Sequence, residues 1–124
     1  MGEFIADMRR ILKKHPRGGV FKGLVALANN PLAIEETRVD ALNILAGTRV
    51  EAHEDRSVLI IETMLLELSP SLKTSAVAAA GLLSKARRLE LRYPVQAAYA
   101  GDNPPDGRYV EAFLRESEDK QPGA

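Results

Sequence analysis

The chain has 124 residues, 45% of them hydrophobic, with seventeen basic and seventeen acidic side chains that cancel. That mix suits one soluble domain able to bury roughly two thirds of its unfolded surface, and it argues against a disordered or membrane-spanning chain. The absence of cysteine removes disulfide scaffolds, thiol catalysis and thiolate metal sites, and only two histidines, His15 and His53, are left for imidazole chemistry.

No segment alternates apolar and polar residues over six positions, so strands are not expected. Phe4, Ile5, Met8, Ile11 and Leu12 follow helical spacing and predict a helix over 3–15, stopped by Pro16 and Gly18-Gly19. A second helix is expected over 20–29, before the turn Asn29-Asn30-Pro31. The third runs over 33–46, with Gly47 as its C-terminal stop. Thr48 to His53 reads as a polar connection, and Glu54 or Asp55 opens a fourth helix to Leu68. That helix is apolar nearly all round, which predicts burial on several sides. Ser71 is the expected N-cap of a long fifth helix over 72–90. A sixth follows over 91–100 with Pro94 in its first turn. Asp106 caps a seventh that ends near Glu116. Residues 1–117 thus form a single helical domain, and the polar residues 118–124 a disordered tail. The N-terminal residues carry no basic stretch followed by an apolar run, and the longest apolar runs are far short of a bilayer span, so a cytoplasmic location is expected.

Helix starts recur at a fixed interval. The basic residues Arg38, Lys73 and Arg108 are spaced by 35 residues, and Ala41 and Ala76 follow the first two at the same offset. Each of these helices is preceded by another, so the chain reads as three helix pairs behind one leading helix. A lone pair cannot bury its apolar face, whereas stacked pairs share a continuous core.

Arg38-x-x-Ala41 with Leu45 and Gly47, and Lys73-x-x-Ala76 with Ala79 and Ala80, resemble the second helix of HEAT-type repeats over about residues 20–117. The third pair departs from the pattern, because Glu111 stands where alanine is expected. Tetratricopeptide repeats have a similar period, but their aromatic first-helix pattern is missing and the chain has no tryptophan. The resemblance implies an all-α fold, a short right-handed α-solenoid whose basic residues form a structural ladder with acids of the next repeat. The alternative is a compact helical bundle without a true repeat.

Catalytic sets are not evident. His53 with Glu51, Glu54 and Asp55 lacks metal-ligand spacing and reads as a solvated connection, and His15 complements a helix end. No nucleophile elbow or phosphate loop is present; Gly18-Gly19 before Lys22 lacks the rest of that motif. These readings predict no enzyme, cofactor or metal. Basic residues gather along helix one, as Arg9, Arg10, Lys13, Lys14 and Arg17, and, as Lys85, Arg87, Arg88 and Arg92, at the expected end of helix five. The latter four are the candidate partner-binding residues. The expected function is binding of another protein by a scaffold, adaptor or inhibitor, through the face formed by the second helix of each pair. The alternative is phosphate contact with nucleic acid through the two basic clusters. Homodimerisation through an open end of the stack is also expected unless the leading helix covers it.

Overall fold

The computed structural model describes residues 2–117, and the tail expected at 118–124 lies outside them. The described residues form seven helices and no strand: α1 Gly2–Lys14, α2 Gly19–Ala28, α3 Glu35–Ala46, α4 Glu51–Met64, α5 Pro70–Ala80, α6 Lys85–Ala100 and α7 Gly107–Glu116. The chain is therefore all-α, as its patterning predicts.

Each helix packs on the next: α2 on α3, α3 on α4, α4 on α5, α5 on α6 and α6 on α7. Between pairs, α2 meets α4 and α4 meets α6, while α3 meets α5 and α5 meets α7. The helices thus make two rows, with α1 laid over α2 and α3 at one end. Among the described residues, α2 does not reach α6 and α3 does not reach α7. Leu12, Leu42, Ile61, Met64, Leu83 and Leu91 are among the fully buried side chains of one continuous core. Each contributes about 1.5–3 kcal/mol relative to exposure.

The 35-residue period has a structural counterpart in α3 and α5. Buried positions coincide at Arg38 and Lys73, Ala41 and Ala76, Leu42 and Val77, Leu45 and Ala80, and Thr48 and Leu83. The two basic residues also make links of equal span, each 29 residues forward. Arg38 grips the Glu67 carboxylate with both terminal nitrogens, at 3.0 and 2.7 Å. Lys73 Nζ donates instead to the main-chain carbonyls of Asp102 at 2.9 Å and Asn103 at 3.0 Å, not to a carboxylate, so only Arg38 makes the expected rung with an acid. The third pair does not keep this register. Relative to their helix starts at Pro70 and Gly107, Lys73 corresponds to Val110 and Ala76 to Phe113, both buried. Arg108 is instead exposed and pairs with its neighbour Asp106, so it is not a rung of the ladder.

Several boundaries differ from expectation, among them the end of the fourth helix, which stops at Met64 and not at Leu68. The long fifth helix is two helices, broken at Gly81-Leu82-Leu83-Ser84. Leu83 is fully buried at the break, and the Ser84 N–H and hydroxyl are both taken by Glu54. The sixth helix accordingly starts at Lys85, and Pro94 lies in its interior, not its first turn. Ser69, not Ser71, caps α5, accepting from the Leu72 N–H at 3.1 Å with Pro70 in the first helical position. The fourth helix opens at Glu51, so the expected polar connection shrinks to Gly47-Thr48-Arg49-Val50. Arg49 turns this corner at φ 63°. Asp106 caps α7 as expected, accepting from the Arg108 N–H at 2.9 Å.

Candidate functional site

The four basic residues expected to meet a partner lie on the first half of α6, not at the end of a fifth helix. The positive charge is therefore at the helix end where the dipole disfavours it. Internal acceptors offset this. Arg87 bonds Glu90 at 3.1 Å and pairs with Asp55 of α4. These carboxylates, Glu90 first, hold its guanidinium pKa above the ordinary value. Arg88 Nη1 donates to the Leu83 carbonyl at 2.6 Å. Arg92 Nη1 donates to the Leu114 carbonyl at 2.7 Å and to Ser117 Oγ at 2.8 Å, tying α6 to the end of α7. Arg87, Arg88 and Arg92 therefore brace the fold. Lys85 sits exposed in the first turn of the same helix.

The helix-one cluster divides in the same way. Arg9 donates to the carbonyls of Asn43 and Ile44, placing a cation on the C-terminal end of α3. Arg10 pairs with Asp7. Lys13 and Lys14 are exposed.

His53 is not in a solvated connection. It lies in the first turn of α4 with none of its surface exposed, stacked on Phe21 at a centroid distance of 5.2 Å. Nε2 must carry hydrogen, because its partner at 2.8 Å is the Pro16 carbonyl. Thr48 Oγ1 sits 2.9 Å from Nδ1. Both ring nitrogens are thus engaged, which fixes the turn between α1 and α2 against α4. Glu54 is likewise buried, and it caps the next pair rather than its own helix. Its two oxygens accept from the Ser84 N–H at 2.7 Å and the Ser84 hydroxyl at 2.8 Å. Neither interaction was readable from sequence, since the partners lie 37 and 30 residues away. Among the described residues, no group of three histidine or acidic side chains is placed to hold a metal ion. Nor is any helix long and apolar enough to cross a membrane.

The unoccupied surface is elsewhere. The exposed parts of α3 and α5 carry mainly small or charged residues, such as Glu36, Asp40, Ser71 and Ala78. Large apolar side chains are exposed instead on the α2–α3 turn, where Leu32 and Ile34 project, and on α4, α6 and the turn after α4. Leu66 is 85% exposed, Leu68 80% and Tyr93 78%, with Leu59 and Leu89 also open to solvent. The fourth helix is therefore not buried on all sides: Val58, Ile60, Ile61 and Met64 face the core and Leu59 faces out. Between α4 and α6 lies a groove of about 480 Å³, lined by Leu65, Leu66, Tyr93, Pro94, Ala97 and Ala98. Glu62 and Asp102 also line it, while Lys73 turns its ammonium to the Asp102 and Asn103 carbonyls. The sequence signal for this groove was the excess apolar character of the fourth helix.

No family model, curated protein or solved structure matches this chain.

Proposed function

We propose that this chain is a non-catalytic protein-interaction module, a short α-solenoid of HEAT-like helix pairs that works by occupying a partner. The alternating contacts of the two rows and the equal-span links of Arg38 and Lys73 support the solenoid reading. One observation carries the binding reading: Leu66 and Tyr93 stand exposed on the walls of an apolar groove between adjacent helices. Exposed apolar patches of this kind mark interaction surfaces. A groove between two helices suits the apolar face of a third, with anchors one helical turn apart. Glu62 and Asp102 favour basic residues flanking those anchors. The face formed by the second helices, α3, α5 and α7, belongs to the other row and carries mainly small or charged residues, so the groove is the better-supported docking surface.

The test is capture from a lysate of the source organism by the wild-type chain and by a Leu66→Glu, Tyr93→Glu double variant. Both side chains are exposed, so the variant keeps its fold and wild-type helicity. At least one protein held by the wild type is expected to be lost by the variant. An identical captured set refutes the groove as the docking surface.

A further inference from the structure

A second cavity, of about 340 Å³, lies between α2 and α4, away from the apolar groove. It is lined by Arg17, Phe21, Lys22, Ala52, Asp55 and Arg56. Three of the six are cations, brought together from the α1–α2 turn, α2 and α4. The one carboxylate, Asp55, already pairs with Arg87 of α6. Among the described residues, Arg17, Lys22 and Arg56 make no ion pair or side-chain hydrogen bond, although the chain has seventeen acids. Three like charges around one concave space attract an anion, with a strength that falls as salt rises.

The start of α2 adjoins these lining residues in the chain. The helix begins with Gly18 as N-cap, with no side-chain cap and no acid in its first turn. A Cβ at Gly19 would meet nothing within 4 Å, so the backbone there is open to approach. His53, stacked on Phe21 and bonded to the Pro16 carbonyl, holds the Arg17 turn against α4. The cations are therefore gathered on a braced frame.

We propose that this cavity binds a phosphate monoester, with Arg17 and Arg56 gripping the oxygens in forked geometry and Lys22 adding a point charge. The site is concave and near the lower end of the roughly 300–1,000 Å³ range of ligand pockets. This favours one phosphorylated group over a polymer, which needs a stripe of cations along its backbone.

The experiment is a titration of the ¹⁵N-labelled full chain with inorganic phosphate, at ionic strength held constant with sodium chloride. Saturable shifts of the Gly19, Phe21 and Ala52 amides are expected. Lys22→Gln and Arg56→Gln should each weaken binding about tenfold, a loss of roughly 1.4 kcal/mol. The combination with Arg17→Gln should abolish it, whereas Lys22→Arg should retain it. All three side chains are exposed, so helicity and melting temperature serve as folding controls. A second arm measures cosedimentation with phosphatidylcholine vesicles containing phosphatidate. Vesicle binding that needs Lys22 and Arg56 names a lipid source, and phosphate shifts without it name a soluble one; either supports the site. Failure of both arms overturns it. So do equal shifts with chloride alone, a triple variant that binds like wild type, or salt-sensitive DNA binding without a phosphate response.

Discussion

Replacing Arg38 with methionine tests whether the repeated basic position holds the pairs together. The side chain is almost wholly buried, and it makes three bonds: to the Ala28 carbonyl at 3.0 Å and to both Glu67 oxygens. The Glu67 hydrogen bond is the main reason its guanidinium pKa lies above the ordinary value. Methionine keeps much of the stem's packing and removes every donor. Removing one partner of a buried ion pair costs about 3–5 kcal/mol. Glu67, however, keeps 30% of its side chain exposed and can rehydrate, which lowers that figure. The Ala28 carbonyl loses its side-chain donor, an effect of about 1–3 kcal/mol when the acceptor stays dry. The expected loss is therefore about 2–4 kcal/mol, read from urea unfolding followed by circular dichroism with an unchanged m value. Arg38→Lys should fall between, because an ammonium cannot make the forked contact. A loss below about 0.5 kcal/mol for Arg38→Met, the range of ordinary surface substitutions, would refute the reasoning.

Glu54→Gln should lower stability by about 1–2 kcal/mol, because a neutral amide oxygen is a weaker acceptor for the Ser84 N–H and hydroxyl; denaturant melts that match wild type count against the cap. His53→Phe keeps the ring against Phe21 but leaves the Pro16 carbonyl without its donor. It should cost about 1–3 kcal/mol and speed amide exchange in the α1–α2 turn relative to α6. Arg49→Gly should stabilise the protein by about 0.5–1 kcal/mol, since it relieves a left-handed arginine at φ 63° against glycine's larger unfolded entropy; thermal melts decide the sign. The Asp106 carboxyl is held below the ordinary carboxylate range by the Arg108 guanidinium first and by the Arg108 N–H second. Its capping contribution is complete above the unfolded carboxylate value and fades as pH falls through the lowered folded one. Asp106→Asn should therefore flatten the acid limb of a stability-against-pH curve, and a parallel limb in the variant would assign that limb elsewhere.

Much of the helical fold was legible because its causes are local. The apolar spacing of Phe4 to Leu12, the stop at Gly47 and the cap at Asp106 depend on residues within a turn or two of each other. The break after Ala80 was equally local in signal, with Gly81 and Ser84 bracketing it, but the alanine run and the basic residues beyond suggested one continuous helix. What makes the break stable is Glu54, thirty residues earlier. The apolar groove had only a faint trace in the sequence, the surplus leucines of the fourth helix, and no signal for which of them would stay exposed.

By itself the sequence determined an all-helical chain without cysteine chemistry and placed two basic residues at equivalent, periodic positions. Tertiary structure decided what each charge is for. Arg87, Arg88 and Arg92 look like a binding cluster in one dimension, yet folding gives them internal acceptors on α4, α7 and the preceding turn. Arg17, Lys22 and Arg56 are scattered along the chain, and folding gathers them around one cavity without any such acceptor among the described residues. The reason is physical: an isolated side chain's charge is written in its identity, but its use depends on which groups the packing of distant helices brings within 3 Å or so.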